Sequence, residues 1–364
     1  MKFTLSKDVF LKNLQQVQSV VSTHSTLPIL FNVLIQAEKQ ELVLTATDLV
    51  VSLRCRMEAA VKKPGASTCP ARRLLSIVRE LPQAELDIDV TDDQVMAIQC
   101  ESSNYKLIGL AADDFPALPK FDEARSVSLD QGAFKEMLKK TGYAASTDES
   151  RPILNGILIL MRDQKLTLVA TDGRRLALVE QDIDLPQDMQ CSLVIPTKTV
   201  NELIKALGDE GTVKIKTTSN LAAFELDSVL ITSKLVEGNF PNFRQVIPSQ
   251  CEERIALDRE QLLAAVRRAA LLASEKNPSV KLLFAKNQLK IVVVTPDVGE
   301  ATESLPIKYD GKPLSMVFNP TYLMDPLRTL TCDEVAVELA DELSPAVIKC
   351  DIPFLYVLMP LRLN

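Results

Sequence analysis

One pattern of twelve residues occurs three times in this chain, at 3–14, 127–138 and 255–266, with starts 124 and 128 residues apart. Each copy begins with a strand-type residue (Phe3, Val127, Ile255) and a leucine two positions on (Leu5, Leu129, Leu257). Ser6, Asp130 or Asp258 follows in the place of a helix N-cap, then an apolar pair four apart: Phe10 and Leu14, Phe134 and Leu138, Leu262 and Val266. That spacing puts each pair on one buried helix face. A second helix pattern recurs at 70–81, 196–207 and, more weakly, 319–330, beginning 67, 69 and 64 residues after its repeat start. A third landmark closes each copy: Phe115-Pro116, Phe240-Pro241 and Met359-Pro360, at offsets of 112, 113 and 104.

Between the helices the periodicity changes to that of strands. Runs 42–48, 166–172 and 289–295 are rich in β-branched residues, and 86–90 and 213–217 alternate cleanly. The expected fold is α+β: three tandem copies of a domain in which two helices pack on antiparallel sheets. Polar stretches at 120–126 and 249–254 divide it into domains 1–121, 126–248 and 254–364. A period near 120 is too long for a solenoid unit, so each copy buries its own core. Such copies either hang as a bead string or satisfy their interfaces by closed rotational symmetry.

Composition narrows the chemistry. There is no Trp, one His (His24), and an odd, scattered set of seven cysteines: Cys55, Cys69, Cys100, Cys191, Cys251, Cys332 and Cys350. Zinc sites need clustered ligands and acid–base catalysis leans on His, so neither a metal nor a hydrolase is expected. The cysteines read as reduced, mostly buried small hydrophobes. The 11 glycines form neither GxGxxG nor GxxxxGK[ST], so no phosphate-cradling cofactor loop of the usual kinds is present. No apolar run approaches the ~20 residues of a membrane span. The first residues lack an apolar signal segment, which points to the cytoplasm.

The net charge of −7 argues against a simple nucleic-acid binder, but its distribution reverses that reading. The helix segments 7–21, 71–81, 130–145, 197–207, 258–273 and 319–330 together carry +6, which leaves −13 on the rest. Lys12, Arg72, Arg73, Arg79, Lys135, Lys139, Lys198, Lys205, Arg259, Arg267 and Arg328 are expected to project away from the apolar helix faces. On a shared face they would track phosphates without reading sequence. As scattered single charges they would be ordinary solvated helix surface.

The whole chain resembles the bacterial replicative DNA polymerase sliding clamps, the β subunits. The resemblance is carried by 1–5, 26–30, 70–72, 114–116, 154–156, 170–177, 232–236, Phe240-Pro241 and 356–363. It implies a non-catalytic processivity factor: a head-to-tail homodimer, six domains in a ring around duplex DNA, with twelve helices lining the hole. It further implies an ATP-driven clamp loader and polymerases as partners. Both would dock short linear motifs in a cleft between the second and third repeats.

Carried over by position, that cleft takes Leu154, Thr171, Gly173, Arg174, Arg175, Leu176, Pro241, Val246, Val357, Met359, Pro360, Leu361 and Arg362, with Leu343, Ser344 and Pro345 nearby. The DNA-contact positions are His24, Arg72, Arg73, Arg151 and Lys198. The ring joint matches at Tyr105 and Leu107 on the first repeat and Leu271 and Leu272 on the third, residues that could equally be core. Arg174 and Gln245 depart from the His and Arg of familiar members, which implies an altered peptide preference. His24, Asn104 and Thr197 each stand where a more basic residue is usual, which implies weaker DNA contact.

The residues alone leave three classes open. They are a DNA-encircling clamp, a monomeric peptide-binding scaffold of the same fold, and an enzyme built on the turn at 172–175. For that turn, Asp172-Gly173 is also a plain hairpin signal.

Overall fold

The computed structural model describes every residue except 23, 24, 120, 122–124, 186–189, 250, 363 and 364. His24 therefore lies outside the described residues. Six α-helices form where the spacing predicts them: α1 Lys7–Gln18, α2 Ala71–Glu80, α3 Gln131–Gly142, α4 Thr197–Ala206, α5 Arg259–Ala269 and α6 Pro320–Thr329. The first helix of each repeat has its expected cap. The Ser6 hydroxyl accepts from the Val9 amide (3.4 Å), Asp130 Oδ1 from Ala133 (2.8 Å) and Asp258 Oδ1 from Gln261 (2.8 Å). Each satisfies one of the amides a helix start leaves unpaired, a contribution of about 1 kcal/mol. The predicted apolar pairs Phe10/Leu14, Phe134/Leu138 and Leu262/Val266 are all fully or almost fully buried.

The residue that opens each of these helices ties off the far end of the second helix of the same repeat. Lys7 Nζ donates to the carbonyls of Arg79 (3.0 Å) and Leu81. The Gln131 amide accepts from Gly208 N (2.8 Å) and donates to the Thr212 carbonyl (3.1 Å). Arg259 donates to the carbonyls of Leu327 (3.0 Å) and Cys332 (2.7 Å). This corrects the expectation that Arg259 projects outward: its side chain is 13% exposed because helix-end carbonyls hold it. Lys135 is also drawn in, by Asp209 at 2.8 Å.

Strands pair antiparallel throughout the described residues, and the chain divides into two compact units, 1–135 with 198–235, and 136–197 with 236–364. The first unit holds a five-stranded sheet in the order Ala60–Lys63, Lys2–Ser6, Glu85–Val90, Val95–Cys100, Ser103–Ile108. Its eight-stranded sheet runs Arg125–Asp130, Thr212–Thr217, Leu221–Glu225, Val229–Lys234, Val51–Glu58, Glu41–Thr47, Asn32–Glu38, Gly65–Pro70. The second unit has an eight-stranded sheet of the same build: Glu253–Asp258, Glu334–Leu339, Ala346–Lys349, Phe354–Leu358, Arg175–Asp182, Lys165–Thr171, Gly156–Arg162, Cys191–Pro196. A four-stranded sheet, Gly299–Pro306, Gln288–Thr295, Val280–Ala285, Leu314–Phe318, completes it.

These two units do not coincide with the three repeats of the sequence. The second repeat is shared, because its strand Val229–Lys234 joins Val51–Glu58 in register (Val229 opposite Cys55) while Arg175–Asp182 joins Phe354–Leu358 (Arg175 opposite Leu358). A continuous ladder satisfies backbone groups that an edge at each repeat boundary would leave open. None of the seven cysteines is disulfide-bonded. Cys55, Cys69 and Cys100 are buried as expected, but Cys191, Cys251, Cys332 and Cys350 are only partly so, since they stand near strand ends and turns.

Candidate peptide cleft and nucleic-acid interface

In the second unit, strands Lys165–Thr171 and Arg175–Asp182 are joined by the turn at 172–174, which the local chemistry over-determines. Asp172 Oδ1 accepts from the amides of Arg174 (2.8 Å) and Arg175 (3.0 Å). Thr171 Oγ1 accepts from the Gly173 amide (3.1 Å) and donates to the Arg175 carbonyl (2.6 Å). Gly173 has φ +86°, a region that glycine enters without steric cost. The hairpin reading of this turn is the one these bonds carry.

Beside the turn lies an apolar floor. Leu176 faces Val357 across the ladder, and both pack with Leu158, Val169, Leu178, Val194 and Phe243. Ile153, Phe240 and Ile247 lean on the same cluster. Met359, 42% exposed, donates its amide to the Arg174 carbonyl (3.0 Å), so it stands at the turn's shoulder. Pro345 leads directly into the strand Ala346–Lys349 beside it, with Asp341 organising Leu343 and Ser344 through their amides (2.8 and 2.7 Å). Val246 and Leu343 expose 50% and 64% of their surface. Pro241 is exposed next to Phe240, and Leu154 is buried in the turn Pro152–Leu154. Leu361 is bonded to the Val317 carbonyl (2.7 Å), with Pro360 and exposed Arg362 on either side. Ile153, Phe243 and Ile247 were missed in the sequence. Ile153 and Ile247 each adjoin a proline, and Phe243 stands two residues after Pro241, which is the one local signal they carry.

Arg175 plays a different part from its neighbours. Its side chain is 9% exposed, bonded through Nε to Asp172 Oδ2 (3.1 Å), through Nη1 to Asp325 Oδ2 (2.5 Å) and through Nη2 to the Tyr143 carbonyl. The guanidinium lies 4.2 Å from the centroid of the Tyr322 ring. Burial works against its charge, but Tyr356, Asp325 and Asp172 outweigh it and hold the group above its ordinary pKa. It locks the cleft turn onto α6 from beneath.

Proline at position 326 adds to this lock. Pro326 lies inside α6 and has no amide to give the Tyr322 carbonyl one turn back. The Tyr356 hydroxyl fills the gap, donating to that carbonyl at 2.8 Å.

Cationic residues named for DNA sit at helix starts and on a loop. Arg72 and Arg73 occupy the first turn of α2, exposed, and among the described residues neither has an ion pair and no side chain caps this helix. Two cations there oppose the helix dipole, a cost without structural return. Lys198, in the first turn of α4, pairs with Asp48 Oδ2 (2.5 Å). Arg151 pairs with Asp148 (3.3 Å) and donates to the Asp172 carbonyl (3.1 Å), at the back of the cleft turn. Tyr105 and Leu107 lie on the outer strand Ser103–Ile108, and Leu271 and Leu272 in the 3-10 turn Ala270–Leu272. Tyr105 is 41% and Leu271 80% exposed and so not core, while Leu107 and Leu272 are partly buried; Ile108, unnoticed in the sequence, is 78% exposed.

Repeated α+β units whose sheets run on across repeat boundaries, and which end in open, apolar-studded strands, are the build of a clamp. Residues 1–119, 128–242 and 244–362 match the N-terminal, central and C-terminal domains of the DNA polymerase III beta subunit, and the chain belongs to that family. It is 35% identical to the beta sliding clamp of Chlamydia pneumoniae over 364 residues, all of both chains. The solved sliding clamp of Bacillus subtilis superposes with a TM-score of 0.96 at 31% identity, covering both chains completely. That of Bartonella birtlesii, solved bound to griselimycin, gives 0.95 at 38%, again over both full lengths. The role of the chain is that of a processivity factor for DNA polymerase.

Proposed function

We propose that two copies of this chain close head to tail into a ring around duplex DNA. It would hold polymerase and clamp-loader segments in the cleft floored by Leu176 and Val357, and catalyse nothing itself. The observation that carries the DNA-facing part is the unpaired Arg72–Arg73 pair in the first turn of α2. Such cations, beside free helix-start amides, suit phosphates and no base edge. With the helix bounds the structure gives, the six helices carry +8 of a chain whose total is −7, since the acidic caps Asp130 and Asp258 fall outside them.

The joint would form between the open strands Ser103–Ile108 of one copy and Gly299–Pro306 of the next, flanked by Tyr105, Leu107, Leu271 and Leu272. The cytoplasm fits a replication factor in which no described helix is long and apolar enough to cross a membrane.

Retention on DNA tests this reading. The chain, once loaded on nicked circular plasmid, is expected to stay bound through a gel-filtration column and to run off when the plasmid is cut. Equal retention on both forms would overturn it. Arg72→Ala with Arg73→Ala should flatten the salt dependence by about two charges' worth.

A further inference from the structure

The first unit contains a second cleft built on the same plan as the one above. Its turn at 48–50 repeats the other bond for bond. Asp48 Oδ1 accepts from Val50 (2.9 Å) and Val51 (2.7 Å), while Thr47 Oγ1 accepts from Leu49 (3.0 Å) and donates to the Val51 carbonyl (3.1 Å). Strand register fixes the rest of the correspondence. Ser52 opposite Thr232 answers to Leu176 opposite Val357, and Lys234, next along, answers to Met359. Phe115-Pro116 stands for Phe240-Pro241. Here Ser52, Thr232, Lys234 and Pro116 line a cavity of about 250 Å³, together with Leu49, Val50, Leu118 and Leu221.

The chemistry of this cleft is inverted. The floor is hydroxyl-bearing, with Ser52 and Thr47 satisfied by each other at 2.8 Å, and the apolar groups have moved to the rim. Leu49 sits at φ +74°, where its counterpart is Gly173; a leucine is held in a glycine's conformation and 41% of it faces solvent. Val50 is 42% exposed. Lys234 is the charged residue of the lining, and among the described residues no ion pair engages it. Asp48, close by, is already taken by Lys198.

We propose that this cleft binds a short extended peptide segment of a partner protein that sets an aspartate or glutamate beside a leucine or phenylalanine. The carboxylate pairs with Lys234, and the apolar side chain rests on Leu49, Val50, Pro116 and Leu118. The proposal uses the backbone plan of the other cleft and does not depend on that cleft's being occupied.

Methyl-resolved NMR of the full-length chain, labelled at Leu, Val and Met, tests it with an end-blocked Asp-Leu-Phe tripeptide as probe. Saturable shifts at Leu49, Val50 and Leu118 are expected. Lys234→Glu should weaken them about tenfold, and a Lys-Leu-Phe probe should recover binding to that variant. Unchanged melting of the variant separates this from misfolding. Shifts confined to Leu176, Val357 and Met359 would overturn the second cleft while supporting the first. Shifts at Leu49 and Val50 that ignore the charge at 234, or none up to millimolar probe, would overturn it as well.

Discussion

Burial decides what Cys55 and Cys69 can do. It pushes both thiols up from about 9 to about 12, because the thiolate has no solvation inside the sheet. The unfolded chain releases these protons first as pH rises, so stability falls between about pH 9 and about pH 12. A Cys55→Ala, Cys69→Ala variant should lose less of its urea midpoint than the parent between pH 8 and 11, and an identical slope would refute the assignment. Arg175 poses the opposite case, a charge kept buried by two carboxylates. Arg175→Ala leaves Asp172, at 13% exposure, without its cation and Asp325, at 16%, with only the half-exposed Arg328 at 3.4 Å. The expected loss is about 3–5 kcal/mol in chemical denaturation, with a weakened peptide affinity alongside.

At the level of the element, α6 shows how a local defect is repaired from afar. Tyr356→Phe should cost about 1–3 kcal/mol, because the Tyr322 carbonyl then has no donor. In a Pro326→Ala background the helix regains an amide at that position, and the same change should cost much less. The double-mutant cycle measures the difference. Periodicity and caps made all six helices legible, since Ser6, Asp130 and Asp258 signal locally. The Tyr356 bond was not legible: Pro326 announces an orphaned carbonyl, but only the fold shows which hydroxyl arrives. Arg259 was misplaced for the same reason. A cation at a helix start looks solvent-bound until the second helix's carbonyls are seen beside it.

At the scale of the whole molecule, the proposed ring joint draws on a few exposed apolar groups. Ile108→Asp combined with Leu271→Asp is expected to reduce the species in solution to a single 40.2 kDa chain by light scattering, with melting little changed. A persistent dimer would place the joint elsewhere. The three repeats were readable because each carries its own short-range signals. The two compact units were not, because the pairing of Val229 with Cys55 leaves no period in the sequence. That same pairing sets a timetable for synthesis. Strand Val51–Glu58 leaves the ribosome about 174 residues ahead of its partner, which at 5–20 residues per second is roughly 10–35 s. Strand Arg175–Asp182 waits as long for the last strand of the chain. Throughout both intervals a nascent apolar sheet keeps one edge open. An open apolar edge is where a sheet pairs with the wrong chain, so these intervals are when the emerging protein is most exposed to aggregation.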